Sequence, residues 1–377
     1  MQNGQLNIFL YNWWRSIDRN IFISTIILIV IGCLISFVAT PSIAIKYNLE
    51  PYYFVKKHLI FTPFAFFFIF FISQFSKIGI KRFFLLIFLI SIFFIFYSFF
   101  IGTEIKGSIR WTSFFGYSFQ PSEFLKISFA IICAWIFSSK RQFQLINNQI
   151  FSFILYLFVS SLILFQPDFS MFVIISFIYF GQLFIRGLKW RWVIFCLLFF
   201  SFVSSIAYFL LDNVKIRINN FFHPSTGDSY QISKSLQAIK EGGLFGKGPG
   251  MGTVKDNLPD AHTDFIFSVI AEEFGIIGCL FIIIFFTYLI FNIYKRIKNE
   301  KYLFVILSVA GLVIQLGSQI FINIGSTIGL IPTTGTTLPF ISYGGSSMIS
   351  MALNIGVIIA LTRVNYKDNI ASDEKEF

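Results

Sequence analysis

Long apolar stretches, interrupted at nearly regular intervals by short polar segments, make up most of the 377-residue chain. Runs close to the ~20 residues that a helix needs to cross a bilayer fall at about 21–39, 59–75, 83–101, 123–138, 150–165, 169–185, 190–211, 265–291, 302–325 and 341–362. This pattern predicts an all-α polytopic membrane protein of about ten transmembrane helices, with 1–377 forming a single domain. The block from 150 to 185 is almost continuous. Gln166-Pro167-Asp168 divides it, because a proline and a charge are both costly inside one membrane helix. Arg15 and Arg19 precede the first run, and Ser42-Ile43-Ala44 loosely resembles a cleavage site. The apolar core is too long for a cleaved leader, so the run reads as a retained signal anchor.

One segment breaks the rhythm. Residues 212–264 separate the seventh and eighth runs by about 53 positions, far more than an ordinary connector, and such loops are usually functional or disordered. Within it, 229–241 (SYQISKSLQAIKE) spaces its apolar residues as a short helix lying on a membrane surface does.

Composition sharpens this picture. With 56% hydrophobic and 12% charged residues and a mean hydropathy of +0.77, the chain lacks the polar cover of a soluble protein. The net charge of +11 does not point to nucleic acid, because Lys and Arg gather in the linkers between apolar runs, as orientation signals do. With the N-terminus inside, the internal segments carry 17 of the 29 basic residues, the short external loops 5 and the 212–264 loop 6. Residues 1–20 and the 363–377 tail are therefore expected to be cytoplasmic, and the large loop to face the far side of the membrane. Cys33, Cys133, Cys196 and Cys279 lie in different apolar runs without metal-binding spacing, and the three histidines form no HExxH.

Candidate chemistry converges on the external side. The loop ends in GGLFGKGPGMGTVKDNLPDAHTDF, where His262-Thr263-Asp264 lead into the eighth run. Asp264 stands where a helix-capping carboxylate would, and the same group would serve as a base. Glu272 and Glu273 lie inside the run, about 12 Å deeper at 1.5 Å per residue. Acids at that depth face a cavity or an ion-pair partner, here either a water-filled cavity or Lys126 or Arg110. The glycine-rich stretch fails the Walker pattern. Its backbone N–H groups, with Lys247 and Lys255, suit an anionic lipid headgroup, or the stretch serves as a hinge. In Gln120-Pro121-Ser122-Glu123-Phe124-Leu125-Lys126, Pro121 suits a helix start, and Glu123 and Lys126 share a face. Arg110 is expected to be the freer cation, with donors shaped for phosphate, and Asp168 to cap a helix. The hydroxyl-rich segment from Gly329 to Phe340, running into Ser342-Tyr343-Gly344-Gly345-Ser346-Ser347, is irregular chain that must be covered by protein or line a cavity. It is expected to pack against the loop and the substrate.

GSIRWTSFF…FQPSEFLK, QPD, GKGPGMGTVKDNLPDAHTDFIFSVIAEEFG and GLIPTTGTTLPFISYGGSS together resemble the SEDS family of FtsW/RodA-type membrane glycosyltransferases, in family order and over nearly the whole chain. The third and fourth pieces look more like the cell-division type than the rod-elongation type. The resemblance implies a peptidoglycan polymerase that joins lipid II units, with a class B penicillin-binding transpeptidase among its partners and no nucleic acid. Asp264 falls on the family's essential loop aspartate and Asp256 on a second acidic position. Arg110, Glu123 and Lys126 fall on the polar cluster around the third and fourth spans. With Lys247, Lys255, His262, Glu272 and Ser342, these complete the candidate substrate-binding set. No tightly bound cofactor is implied; a divalent cation (Mg2+ or Mn2+) held by loop carboxylates is an alternative source of charge stabilisation. Two departures stand out: Phe169-Ser170 replaces the frequent Leu-Gly after QPD, and Thr334 stands where many division-type members carry Lys. Competing readings are a lipid II flippase, which needs a polar path through both leaflets, and a non-catalytic division scaffold, which would tolerate loss of Asp264.

Overall fold

The computed structural model describes residues 8, 11–105, 108–114, 117–139, 148–187, 190–222 and 229–363. Most of the 363–377 tail, the start of the chain and Gly107 lie outside the described residues.

Helices form on the apolar runs, and polar residues at the breaks start them. Helix α1 (Arg19–Ala39) begins at Asp18, whose carboxylate accepts the N–H groups of Asn20 and Ile21 at 3.0 and 3.3 Å. These are two of the donors that a helix start leaves without an intrahelical partner. The short α2 (Pro41–Lys46) and α3 (Tyr53–Ser73) follow. Helix α4 (Lys77–Ile101) is capped by Ser76, which accepts from Gly79 at 3.1 Å. Helix α5 (Pro121–Ser138) has its proline in the first turn. Helices α6 (Asn148–Phe165) and α7 (Phe169–Ile185) separate at Gln166–Asp168, as predicted. Then come α8 (Trp190–Leu210), α9 (Asp212–Phe222), α10 (Ser229–Gly242), α11 (Ile266–Ile297), α12 (Leu303–Thr327) and α13 (Gly345–Leu361). The helix expected at 229–241 forms as α10, and it packs against α11 with Ser235 and Ala238 buried.

Seven of these helices are long and apolar enough to cross a membrane: α1, α3, α4, α5, α6, α11 and α12. Shorter apolar helices at Phe169–Ile185, Leu198–Leu210 and Gly345–Leu361 occupy the other three predicted runs. The last starts four residues later than expected. Residues 341 and 342 donate back to the Leu338 carbonyl, and Tyr343 donates to His262, so that stretch is tied into a turn.

Helix α12 packs on α5 and α7, α3 on α13, α4 on α5, and α11 on α1 and α10. Helix α5 is buried along most of its length, whereas α4 leaves Phe93 and Phe100 exposed on its outer side. Such faces would be a liability in water and are the expected surface toward hydrocarbon.

The all-α expectation misses one feature, a three-stranded antiparallel sheet of β1 (Thr103–Ile105), β2 (Ser108–Phe114) and β3 (Tyr117–Phe119). Thr112 pairs with Phe119 and Phe114 with Tyr117. The hairpin supplies backbone hydrogen bonds to a loop that must otherwise find them elsewhere, and it presents Arg110 and Trp111 from a fixed element.

Candidate active site

The glycine-rich loop is built around the two glutamates of α11. Helix α11 breaks at Gly275 (φ 69°), and the loop replaces the lost helical bonds. The Glu272 and Glu273 carbonyls accept from Lys247 and Gly248 at 2.9 and 3.0 Å, and Ile276 and Ile277 donate to the Gly243 and Leu244 carbonyls at 3.0 and 3.3 Å. The carboxylates complete the brace. Glu272 accepts the N–H groups of Thr253, Val254 and Lys255 at 2.7, 2.8 and 2.9 Å. Glu273 accepts from Gly250 and Gly252, and from the Lys255 ammonium at 2.5 Å. The loop's N–H groups do form an anion nest, but the anions are the chain's own side chains. A Cβ at Gly252 would stand 2.6 Å from a Glu273 oxygen, so the loop and the helix meet backbone to carboxylate.

This arrangement corrects several expectations. Glu272 and Glu273 are buried and do not line the cavity that Asp264 borders, and their partners are neither Lys126 nor Arg110. Lys255 is buried on Glu273 and the Val38 carbonyl, and Lys247 is paired with Glu241, so neither faces the site as a headgroup ligand. Asp256 is exposed on a short 3-10 turn away from the cavity.

Farther along, Asp260 (φ 55°) turns the chain and its carbonyl accepts the N–H groups of Thr263, Asp264 and Phe265. Helix α11 then begins beyond Phe265 with no side-chain cap, so Asp264 is not the capping residue that its position suggested. Three consecutive carbonyls hold the turn. His262 accepts from the Tyr343 N–H at 2.9 Å, Thr263 from the Ser342 hydroxyl at 2.5 Å, and Asp264 from the Asn323 side chain at 2.9 Å. His262 packs between Phe54 and Tyr343, with ring centroids at 4.8 and 5.6 Å, and so braces the turn from behind; Ser342 joins it to the 329–344 loop.

In front of the turn lies a cavity of about 1130 Å³ that both Asp260 and Asp264 line. Its cations are Lys57 from α3, Arg110 from β2 and Arg217 from α9; Glu123 lies deeper in its wall. Gly335 (φ 72°) sits where the two sides approach. A Cβ there would be 3.6 Å from Asp264 Oδ2 and 3.9 Å from Arg110 Nη1, so its missing side chain keeps that space open.

Arg110 is less independent than the sequence suggests. Its Nε lies 3.3 Å from Asp168 Oδ2, and Nη2 donates to the Pro167 carbonyl at 3.0 Å. Asp168 caps α7 through Met171, as expected, while also accepting from Gln120. The pair therefore aims the remaining guanidinium edge toward Gly335. Beneath the cavity, Lys126 is fully buried between Glu123 and Gln319, at 2.7 Å from each, and Ser350 donates to Glu123 at 2.8 Å. The Glu123–Lys126 pairing follows the three-residue spacing, but Lys126 is buried behind Glu123 and does not itself line the cavity.

The sequence reading missed Lys57, Arg217, Asp260 and Asn323. The Asp260–Asp264 spacing of four was a usable signal for one of them. Arg217 was one charge in a long loop; here it donates to the Thr333 carbonyl at 3.2 Å and brings a cation beside Thr334. The substituted Ser170 also has a role, donating to the Thr334 carbonyl at 2.6 Å. Cys33, Cys133 and Cys279 are free thiols; the Cys196 side chain lies outside the described ones.

Comparison with known proteins places the chain. The cell cycle protein model FtsW/RodA/SpoVE matches residues 18–367. A relative in Caulobacter vibrioides, named "Probable peptidoglycan glycosyltransferase FtsW", is 35% identical over 361 residues, covering 93% of this chain and 90% of its own. One of the same name in Haemophilus influenzae is 32% identical, covering 97% and 96%. Among solved structures, a chain from work on the coordination of polymerization and crosslinking by a peptidoglycan synthase complex superposes with TM-score 0.78 at 23% identity, over 94% of this chain and 100% of that one. Thermus thermophilus rod shape determining protein RodA gives 0.68 at 22% identity, over 93% and 97%. At these identities the structures establish a shared RodA-like polytopic membrane fold.

Proposed function

We propose, from the premise that the chain belongs to the FtsW/RodA/SpoVE family of cell cycle proteins, that it is a peptidoglycan glycosyltransferase that polymerises lipid II into β-1,4 glycan strands during septal wall synthesis. The active cavity opens at the outer face of the inner membrane, with both termini cytoplasmic, the orientation that the basic residues favour. The observation that carries the reading is Asp264. The turn that carries it is pinned at three successive carbonyls, and its carboxylate borders a large cavity opposite Arg110 across Gly335.

An α-linked sugar pyrophosphate becomes a β-linked polymer by one in-line displacement. The acceptor hydroxyl oxygen forms a bond to the donor's anomeric carbon. The bond from that carbon to the pyrophosphate oxygen breaks, and the electron pair leaves with undecaprenyl pyrophosphate. Asp264 takes the acceptor's proton as general base. Arg110, oriented by Asp168, offsets the charge growing on the leaving group, with Arg217 and Lys57 lining the same cavity. Asp260 and Asp264, which both line the cavity, are the residues that would hold a divalent cation there. Such an ion would supply further charge neutralisation.

A transport reading gains nothing from the site's floor, since Lys126 is fully buried and held by Glu123 and Gln319. A class B penicillin-binding transpeptidase is the partner we assign, in keeping with the synthase complex whose chain shares this fold.

The test is polymerisation of lipid II by the purified full-length protein in detergent, with and without that partner, comparing wild type with Asp264→Asn. Strands from wild type alone support the reading. Equal activity in Asp264→Asn removes Asp264 as base. No strands from wild type with its partner, together with lipid II flipping in vesicles, would favour the transporter; normal division by an Asp264→Asn strain would favour a scaffold.

A further inference from the structure

Lys77 and Lys81 open α4 at the end of the bundle away from the Asp264 cavity, since α4 reaches the sheet of Arg110 only after Ile101. One turn apart on the helix, they face the place where α5 ends and α12 begins. The Lys77 ammonium lies 3.5 Å from the centroid of the Tyr302 ring. The Lys81 ammonium lies 4.3 Å from the centroid of Phe304 and 5.6 Å from that of Trp135. Among the described residues, no carboxylate comes within ion-pair distance of either lysine. An aromatic face attracts a cation, but it leaves the three N–H donors of an ammonium in want of oxygen acceptors. Two like charges at this spacing also repel each other. The cluster is therefore a cradle for an anion that spans one helical turn.

Its surroundings set the depth. Trp135 and Tyr302 are residues of the kind that gather at a membrane–water boundary. Ile78 and Leu303, the neighbours of the two lysine-bearing turns, are exposed and offer an apolar flank. Gln74, three residues before Lys77, accepts from Arg363, so this end of the bundle also receives the end of the chain that the basic residues place in the cytoplasm. Basic pockets between membrane helices on that side take anionic lipid headgroups. We propose that Lys77 and Lys81 form a binding site for the phosphate of an anionic phospholipid of the inner leaflet, with its acyl chains along Ile78 and Leu303. A free phosphate would meet the same ammoniums but leave the apolar flank uncovered, so lipid is the source assigned. Bound there, the lipid links the starts of α4 and α12. These helices serve two walls of the cavity at their other ends, because α4 leads into the sheet of Arg110 and α12 presents Asn323 to the Asp264 turn. The site does not depend on the polymerase reading, and its test uses no lipid II.

The experiment uses the purified full-length protein in neutral detergent, with dioleoylphosphatidylglycerol as the probe and dioleoylphosphatidylcholine, of equal chain length, as the control. Binding is read by native mass spectrometry and by the rise in unfolding temperature. Each lysine beside an anionic headgroup is worth about fivefold in affinity, so wild type should prefer phosphatidylglycerol by about 10- to 30-fold. Lys77→Gln/Lys81→Gln should bring the two lipids within about twofold of each other, and Lys77→Arg/Lys81→Arg should keep the preference. Lys81→Gln alone should lose about fivefold, and it decides the matter if the double variant does not fold. Arg15→Gln/Arg19→Gln removes equal charge from the same side of the protein and should leave the preference unchanged. Equal affinity of wild type for both lipids overturns the proposal, as does an equal loss in the Arg15/Arg19 variant, which would make the attraction a general property of the charged face. If inorganic phosphate raises the unfolding temperature as much as phosphatidylglycerol does, the ligand is a free anion and the lipid assignment falls.

Discussion

Asn323 donates its side-chain amide to the Asp264 carbonyl at 2.9 Å, and the same nitrogen reaches the Thr336 carbonyl at 2.6 Å. It does so from a fully buried position on α12. One amide therefore ties together the two walls of the cavity, the turn that carries the carboxylate and the loop that carries Gly335. The placement of the proposed base depends on a residue 59 positions away that touches only backbone at these two points.

Replacing Asn323 with Ala should therefore act on turnover. Each lost hydrogen bond is worth about 1 kcal/mol, and a carboxylate displaced by about an ångström costs roughly a hundredfold in rate. We expect kcat to fall about 10- to 100-fold with KM nearly unchanged, read from initial rates against lipid II concentration. A raised KM with normal kcat would contradict this role.

The floor of the cavity should show the asymmetry of a buried ion pair. Lys126→Met leaves Glu123 charged and without its partner, at a cost of about 3–5 kcal/mol. The double change Glu123→Gln/Lys126→Met should recover most of that loss, because an uncharged pair needs no compensation. Thermal unfolding in detergent, followed by size-exclusion profiles, would separate the two.

Glu272 should matter for activity although it does not line the Asp264 cavity. Glu272→Ala strips the acceptor from the Thr253, Val254 and Lys255 N–H groups, at about 1–3 kcal/mol for each group left unsatisfied. Limited proteolysis should then cut within residues 250–256 much faster than in wild type, and polymerisation should fall with it. Unchanged cleavage would show that the loop is held by other means.

The exposed brace between Glu241 and Lys247 should respond to pH at both ends of the range. The Lys247 ammonium, by hydrogen bond first, holds the Glu241 carboxyl below its usual range, with Gln237 adding to the effect. That contribution is present above the unfolded carboxyl pKa and is lost as pH falls through the lowered folded value. Glu241 in turn raises the Lys247 pKa, a contribution complete below the ordinary lysine range and lost as pH rises through the raised value. The protection of the amides at the end of α10, taken relative to intrinsic exchange at each pH, should be flat near neutrality and fall on both sides. High salt should reproduce part of the loosening, since an exposed pair is screened.

The sequence by itself determined the membrane character, the ten apolar helices, the break at Gln166–Asp168 and the amphipathic helix that became α10. Each of these is a local property. An apolar run of the right length is a spanning helix whatever surrounds it, and a proline beside a charge interrupts it. The pairing of Glu123 with Lys126 was legible for the same reason, because three residues on a helix is a short distance. Only the tertiary structure decided which partner each remaining charge takes. Arg110 found Asp168, and Glu272 and Glu273 took up the N–H groups of a loop about 20 residues before them, while Asp264 was positioned through Asn323. Backbone donors and carbonyls are the partners in many of these cases, and every residue carries them, so no residue letter marks the one that will be used. The choice is made when packing brings distant segments together, because each buried charge and each unpaired N–H must then be satisfied by whatever the fold has placed beside it.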